Sequence, residues 1–137
     1  MFDIIKNLFK KQQQTFPGIV AAKVLDVQKH PNADRLRVIK LDIGNKIIDP
    51  VVCGAFNFGV NDVVALALPG ATIAKNIHSD DHKPFVLEKA KIRGTESQGM
   101  ICAAFELGLG ELIEKPEIML LKSNVVPGSQ FTPEMME

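Results

Sequence analysis

The sequence has no tryptophan, no tyrosine and only two cysteines among its 137 residues. Phenylalanine is therefore the only aromatic residue available to a core, and we expect at least one of the neighbouring Phe56 and Phe58 to be buried. Cys53 and Cys102 lie far apart, each between small or apolar residues. This spacing excludes a CxxC metal or redox site and indicates two buried thiols rather than a disulfide.

The chain also lacks a net charge, because 16 lysines and arginines balance 16 aspartates and glutamates. No overall field would draw the molecule to a polyanion or a membrane, so any such attraction must be local. No apolar run is long enough to cross a bilayer, and residues 1–14 lack the apolar stretch of a secretory signal. We therefore expect a soluble protein in the cytoplasm with no membrane partner.

Motifs for cofactors and catalysis are missing as well. There is no P-loop and no G-x-G-x-x-G after a strand, so no nucleotide cofactor is predicted. The segment "HSDDH" at 78–82 lacks a third histidine or cysteine ligand, and a polar loop explains it better than a metal site. Ser97 lacks the G-x-S-x-G elbow of a serine nucleophile. We expect no catalytic residue, and the chain is not predicted to be an enzyme on its own.

The sequence does contain short segments rich in β-branched residues. These segments predict an all-β barrel or sandwich. Turn-forming residues separate the segments "IVAAKVLDV", "LRVIKLDI", "IIDPVVC", "VVALAL" and "KAKI". In the second segment Ile39, Leu41 and Ile43 alternate with Lys40 and Asp42. This alternation predicts a strand with one buried and one exposed face.

The length suits a single domain with short appendages. Residues 1–15 have apolar side chains at helical spacing and predict an amphipathic helix followed by a linker. Residues 16–131 form the predicted domain, with an exposed loop at 76–84 and a late strand at 118–121. Residues 132–137 are expected to be a loose tail.

Charge is unevenly distributed along the chain, although the net charge is zero. Residues 29–46 carry five basic and two acidic side chains, whereas residues 106–137 carry six acidic and two basic ones. A basic surface is therefore expected in the first half of the chain, away from an acidic C-terminal part.

Lys89, Lys91 and Arg93 in "EKAKIRG" would project from one face of a strand, with Ala90 and Ile92 pointing inward. Lysines on a solvated strand can simply prevent edge-to-edge pairing. Cations at this spacing also suit a phosphate backbone, where they displace condensed counterions. Both explanations fit this segment when it is considered alone.

Two loop segments offer hydrogen-bonding groups. In "RGTESQGM", Gly94 and Gly99 allow tight turns, and the residues between them carry hydroxyl, carboxylate and amide groups. In "HPNADRL", Pro31 favours an extended His30, and Asn32 is suited to a turn. The simplest explanation of the second segment is a polar turn that joins two strands.

Taken in order, "HPNADRLRVIKLDIG", "VVCGAFNFGVNDVVALALPGA", "KAKIRGTESQGMICAAFELGLG" and "VVPGSQF" resemble the tRNA-binding domain near the start of the bacterial phenylalanyl-tRNA synthetase β chain. Similar domains stand alone or are attached to methionyl- and tyrosyl-tRNA synthetases. The resemblance covers about residues 16–131 and implies an OB-fold, a five-stranded barrel, here with a short N-terminal helix and a C-terminal β extension. The chain departs from the family pattern at Phe56, where relatives usually have proline, and at Thr95 and Gln98.

The resemblance also implies a set of RNA-binding residues, and strand geometry adds Lys89 and Arg37 to it. Gln98 is included because its amide suits sugar or base edges. The positions that match the family motif are His30, Asn32, Arg35, Lys91, Arg93, Ser97 and Met100.

The implied function is tRNA binding through the phosphate backbone, with little sequence specificity and no bond broken. The chain would be part of a phenylalanyl-tRNA synthetase β chain, with the α chain as a partner, or a stand-alone relative. Two alternatives remain open: a protein docking module without tRNA affinity of its own, and a homodimer that binds tRNA across two barrels. A small-molecule enzyme has the least support.

Overall fold

The computed structural model describes residues 15–137, so the helix predicted near the N-terminus lies outside the described residues. Within this range the chain forms ten β-strands: β1 (Ile19–Lys29), β2 (Arg37–Asp42), β3 (Ile47–Cys53), β4 (Val63–Ala67), β5 (Thr72–Ile73), β6 (Phe85–Val86), β7 (Ala90–Ile92), β8 (Thr95–Ser97), β9 (Met100–Ile101) and β10 (Leu120–Leu121). Two 3₁₀ helices cover Phe105–Leu107 and Pro133–Met135. Over residues 15–137, none of the helical segments has the length and apolar character needed to span a bilayer.

The main sheet is antiparallel and has the order β10–β4–β1–β2–β3, with β9 also paired to β4. The first half of β1 pairs with β4 and the second half with β2, and a bulge lies between the two halves. Because a bulge bends a strand and increases its twist, the sheet curls into a half-barrel. The Gln98 N–H donates to the Pro50 carbonyl of β3 at 2.8 Å, which joins the chain before β9 to the opposite edge. The predicted all-β class and OB-like barrel are confirmed.

The strand β4 is buried on both faces, which explains its continuous apolar sequence. Val64 and Leu66 belong to a cluster inside the curled sheet, which also contains Ile39 and Leu41 of β2. The alternate residues of β4 belong to a second cluster, on the other face of the sheet, which the C-terminal part of the chain covers. The predicted alternation in β2 is confirmed, because Ile39 and Leu41 are fully buried whereas Lys40 is exposed.

The C-terminal residues pair with the barrel. The predicted late strand is β10, and residues 128–131 run antiparallel to the start of β1 as the β extension. The expectation of a loose tail is wrong: the Lys122 N–H donates to Met135 and the Glu137 N–H donates to Leu120, at 2.8 and 3.1 Å. Met135 and Met136 pack on the second cluster, so burial of their side chains holds the chain end in place.

Candidate nucleic-acid interface

The two loop segments that the sequence singles out are brought together in the structure. The β1–β2 loop contains "HPNADRL", and the β7–β8 hairpin contains "KIRGTES". His30 Nε2 bonds to the Ile92 carbonyl oxygen at 3.0 Å, across 62 positions in the sequence. Asn32 and Arg93 add two longer contacts, Asn32 Nδ2 to the Arg93 carbonyl at 3.4 Å and Arg93 Nη2 to the Asn32 carbonyl at 3.5 Å. Loop and hairpin therefore form one surface, which we call the loop–hairpin surface (residues 30–36 and 89–98).

His30 supports this surface from inside. Its side chain is only 1% exposed, and its Nδ1 accepts a hydrogen bond from the Asn32 N–H at 3.0 Å. With Nδ1 as an acceptor, the ring donates through Nε2 to the Ile92 carbonyl, which fixes the neutral tautomer. A ring buried in this way has no face free to touch RNA. In this structure the His30 side chain supports the surface from within, whereas the resemblance implies a direct RNA contact.

The β7–β8 hairpin differs from the predicted ladder of three cations on one strand. Strand β7 ends at Ile92, and Arg93 and Gly94 form the two-residue turn with φ values of 53° and 91°. Two positive φ values are typical of a type I′ hairpin turn. Arg93 therefore lies at the tip rather than on the strand face, and Ala90 is exposed rather than directed inward. Lys91 lies opposite Glu96, which partly offsets its charge.

The exposed cations of the loop–hairpin surface are Arg35, Lys89, Lys91 and Arg93. Within residues 15–137, none of these four belongs to an ion pair of 4.0 Å or less. Lys29, by contrast, is bound to Asp34 at 3.1 Å. Four cations without a paired carboxylate are suited to attract an anionic ligand.

Ser97 is buried at the end of the hairpin and closes the barrel. Its Oγ accepts a hydrogen bond from the Val52 N–H at 2.9 Å and donates one to the Gly99 carbonyl at 2.8 Å. The side chain is 4% exposed, so it has no free hydroxyl for RNA or for nucleophilic attack. The Ser97 hydroxyl is therefore engaged within the fold.

The remaining two predicted residues of this segment, Gln98 and Met100, are both half-buried but have different surroundings. Gln98 is half-buried, and its Nε2 donates to Glu96 Oε1 at 3.1 Å. Together with Lys46, Lys89 and Asp49 it lines a hollow of about 410 Å³ beside the hairpin. Met100 belongs to β9, and the buried part of its side chain packs on the second core cluster.

Arg37 lies between two phenylalanine rings at the start of β2. Its guanidinium carbon is 4.7 Å from the Phe56 ring centre and 4.6 Å from that of Phe58. Nη2 donates to the carbonyls of Ala55 and Phe58 at 3.1 and 2.9 Å. The charge of Arg37 is thus used within the fold. Phe58 is buried whereas Phe56 is 54% exposed, which confirms that at least one of the pair is buried.

A larger apolar groove of about 770 Å³ lies elsewhere, along residues 103–120 and the chain end. Its lining includes the exposed Leu112 and Ile113, and three glutamates, Glu111, Glu114 and Glu117, against one lysine, Lys115. An excess of carboxylates repels phosphate, so this groove is a poor candidate for a nucleic-acid site.

Three buried titratable side chains have shifted pKa values, Glu106, Cys53 and Cys102. Burial raises the pKa of the Glu106 carboxyl, although its bond from the Ala103 N–H at 2.8 Å opposes the effect. Burial likewise raises the pKa of both thiols, Cys53 and Cys102, and both are free. The expectation of two buried thiols without a disulfide is confirmed. No cluster of three or more metal-binding side chains occurs within residues 15–137.

Replacing Ser97 with alanine is expected to lower the free energy of unfolding by about 1–3 kcal/mol, because the buried Val52 N–H loses its acceptor. Urea denaturation measures this change. The matched control is Ser123→Ala at an exposed position, which we expect to alter the free energy by less than about 0.5 kcal/mol. Equal stabilities of the two variants would contradict the structural role of Ser97.

Comparison with known proteins identifies the family of the chain. Residues 19–130 match the model of the tRNA binding domain family. The phenylalanine–tRNA ligase beta subunit of Ralstonia nicotianae is 47% identical over 116 residues, which are 85% of this chain and 14% of that protein. The same subunit of Chlamydia pneumoniae is 47% identical over 98 residues, or 72% of this chain and 12% of that protein. The chain thus spans only a small part of these relatives.

Solved structures support the barrel. A MetRS related protein from Pyrococcus horikoshii superposes with a TM-score of 0.58 at 16% identity, covering 93% of this chain and 95% of that one. The C-terminal domain of Plasmodium vivax p43 has a TM-score of 0.53 at 22% identity, covering 84% and 58%. At these identities the likeness concerns the fold alone. The family model, matched along most of the length, and the close bacterial relatives together show that the chain belongs to the tRNA binding domain family.

Proposed function

We propose that this domain binds tRNA through its phosphate backbone, with the exposed Arg35, Lys89, Lys91 and Arg93 as the main contacts. The observation that carries the proposal is the hydrogen bond from His30 to Ile92. It holds two cation-bearing segments side by side although they lie 62 positions apart in the sequence. A surface of this kind can track a phosphate chain without reading its bases.

The other predicted residues have supporting or secondary roles in this proposal. Asn32 and Gln98 present amide groups near the cations, suited to sugar hydroxyls or base edges. His30, Arg37, Ser97 and Met100 hold the surface in shape, and their side chains are engaged inside the protein. Because Lys91 faces Glu96 and the chain has no net charge, we expect modest affinity, strong salt dependence and little base specificity.

We further infer that the chain is the tRNA-binding part of a phenylalanyl-tRNA synthetase β chain, or a free-standing relative. In the first case the synthetase α chain is a partner, and in the second case a homodimer is expected. The domain would act in the cytoplasm and perform no chemistry itself. Ser97, the serine that the sequence analysis considers as a nucleophile, is buried and engaged in two hydrogen bonds, which supports a non-catalytic role.

The proposal predicts a specific loss of tRNA affinity when charge is removed from the loop–hairpin surface. In the variant Arg35→Gln, Lys91→Gln, Arg93→Gln, affinity for unfractionated tRNA should fall about 10- to 100-fold at roughly 0.1 M salt. The slope of log affinity against log salt should also decrease by about one for each phosphate that the variant no longer neutralises. Titrations monitored by filter binding or anisotropy at several salt concentrations measure both quantities.

A matched control removes the same charge elsewhere. Lys83→Gln, Lys115→Gln, Lys122→Gln neutralises three exposed lysines outside the loop–hairpin surface and should leave the salt slope close to wild type. Equal losses in the two variants would mean that only total charge matters and would contradict this surface. If wild type binds no tRNA even at low salt, the docking alternative gains support, with the apolar groove beside Leu112 and Ile113 as its natural surface.

A further inference from the structure

Phe56 is a large aromatic side chain that the fold holds in water. It is 54% exposed, in the loop between β3 and β4. Single exposed apolar residues are common and need no explanation by themselves. Phe56 is different because of what supports it: one face of its ring lies on the Arg37 guanidinium, at 4.7 Å. More than half of the residue remains open to solvent.

The support beneath Phe56 is continuous down to the core. The Arg37 guanidinium contacts the rings of both buried Phe58 and exposed Phe56, at 4.6 and 4.7 Å, and so connects Phe56 to the core. Two backbone carbonyls fix the guanidinium, so this connection does not depend on the ring contacts alone. The loop itself is anchored by Asn57, which exchanges two hydrogen bonds with the backbone of Ile118 at 2.9 and 3.0 Å. An aromatic ring on such a base loses little conformational entropy when it binds a ligand.

The position of the ring places it beside the proposed phosphate contacts. Arg37 follows Arg35 by two residues at the start of β2, and it pairs with Cys53 of β3. Gly54 lies against the β1–β2 loop, where an added Cβ would be 3.4 Å from Leu36 and 3.8 Å from the Arg35 carbonyl. The loop of Phe56 is thus packed directly on the segment that carries Arg35.

From this arrangement we infer that Phe56 is a stacking platform for an unpaired base of the bound RNA. The inference rests on the proposed tRNA binding and adds a base contact to a surface otherwise made for phosphates. A flat aromatic face accepts any base, because every base has a π-face. Unpaired bases in RNA loops and ends are available for such stacking, whereas bases within a helix are not. The contact therefore favours RNA with exposed bases over a continuous duplex.

The absence of tryptophan and tyrosine from the chain gives a direct test. In Phe56→Trp the new indole is the only tryptophan, so its fluorescence reports this position alone. Val126→Trp is the control, at a residue 68% exposed in the turn near Gly44, at the opposite end of β2 from Arg37. Unfractionated tRNA should strongly quench the first indole and leave the second almost unchanged. Heparin, a polyanion without bases, should quench neither.

A second variant measures the contribution to affinity. Phe56→Leu keeps an apolar side chain but removes the aromatic face, and we expect tRNA affinity to fall about fivefold or more with an unchanged salt slope. If wild type binds tRNA in a salt-dependent way while the Phe56→Trp indole stays unquenched and Phe56→Leu binds normally, stacking is refuted and the phosphate surface stands. If wild type binds no tRNA at low salt, the proposed function and the stacking inference fail together.

Discussion

Replacing Gly128 with alanine is expected to remove much of the stability of the domain, by about 3–5 kcal/mol in the free energy of unfolding. Gly128 has φ of 92°, a conformation that strains any residue with a Cβ. A Cβ there would also collide with the backbone carbonyl of Ile43, at the turn between β2 and β3. Because this atom belongs to the backbone, it cannot rotate away. Urea denaturation and the thermal midpoint both measure the loss.

The variant Gly70→Ala separates the cost of backbone strain from the cost of the collision. Gly70 has a similar φ of 97°, but an added Cβ would have no heavy atom within 4 Å. Gly70→Ala should therefore lower the free energy of unfolding only by the backbone strain, about 1–2 kcal/mol. The difference between the two variants is the cost of the collision. A Gly128→Ala protein no less stable than Gly70→Ala would show that the contact with Ile43 relaxes freely, contrary to this account.

The location of Gly128 explains why a glycine occurs so late in the chain. Its N–H donates to the Ala21 carbonyl at 2.8 Å, and the Ala21 N–H donates to Ser129 at 2.9 Å. The Phe131 N–H then donates to Ile19, also at 2.9 Å. The segment "VVPGSQF" thus lies along the start of β1 and covers the second core cluster. This pairing brings residue 128 close to the backbone of the turn at 43–44. Only glycine fits there, because it has no Cβ.

The strands of the barrel could be predicted from the sequence because their signals are local. The predicted "IIDPVVC" coincides with β3, and the other segments overlap β1, β2, β4 and β7. Each combines β-branched residues with turn formers at its ends. The loose tail was predicted wrongly because its stability comes from contacts of Met135 and Met136 with distant residues. Contacts between residues far apart in the chain leave no local pattern in the sequence.

The sequence predicts which segments form the loop–hairpin surface, but it does not predict which of their side chains are buried. His30 and Ser97 lie in polar, glycine- and proline-containing stretches, which are normally exposed. Their burial depends on partners 62 and 45 positions away, Ile92 and Val52, which no local pattern reveals. The predicted row of three cations on one strand face is wrong for Arg93. The strand ends at Ile92, and Arg93 lies in the turn that follows. Gly94, which readily adopts a positive φ, is the local signal that could have ended the strand at Ile92.

The second large expected effect concerns His30. In His30→Ala the free energy of unfolding should fall by about 2–4 kcal/mol, because a buried ring is lost and two backbone groups, the Asn32 N–H and the Ile92 carbonyl, lose their partner. Urea denaturation measures the change. Pro31→Ala, at the exposed neighbouring position, is the matched control and should change stability by less than about 1 kcal/mol.

The same variant tests how the surface is built. If His30 aligns the loop with the hairpin, His30→Ala should also weaken tRNA binding under conditions where it is still folded, since Arg35 and Arg93 are no longer held side by side. The salt slope should then decrease as well, although no cation has been removed. A variant that keeps full stability but loses affinity would instead make His30 a direct RNA contact. That result would require the ring to leave the interior, where its two hydrogen bonds now hold it.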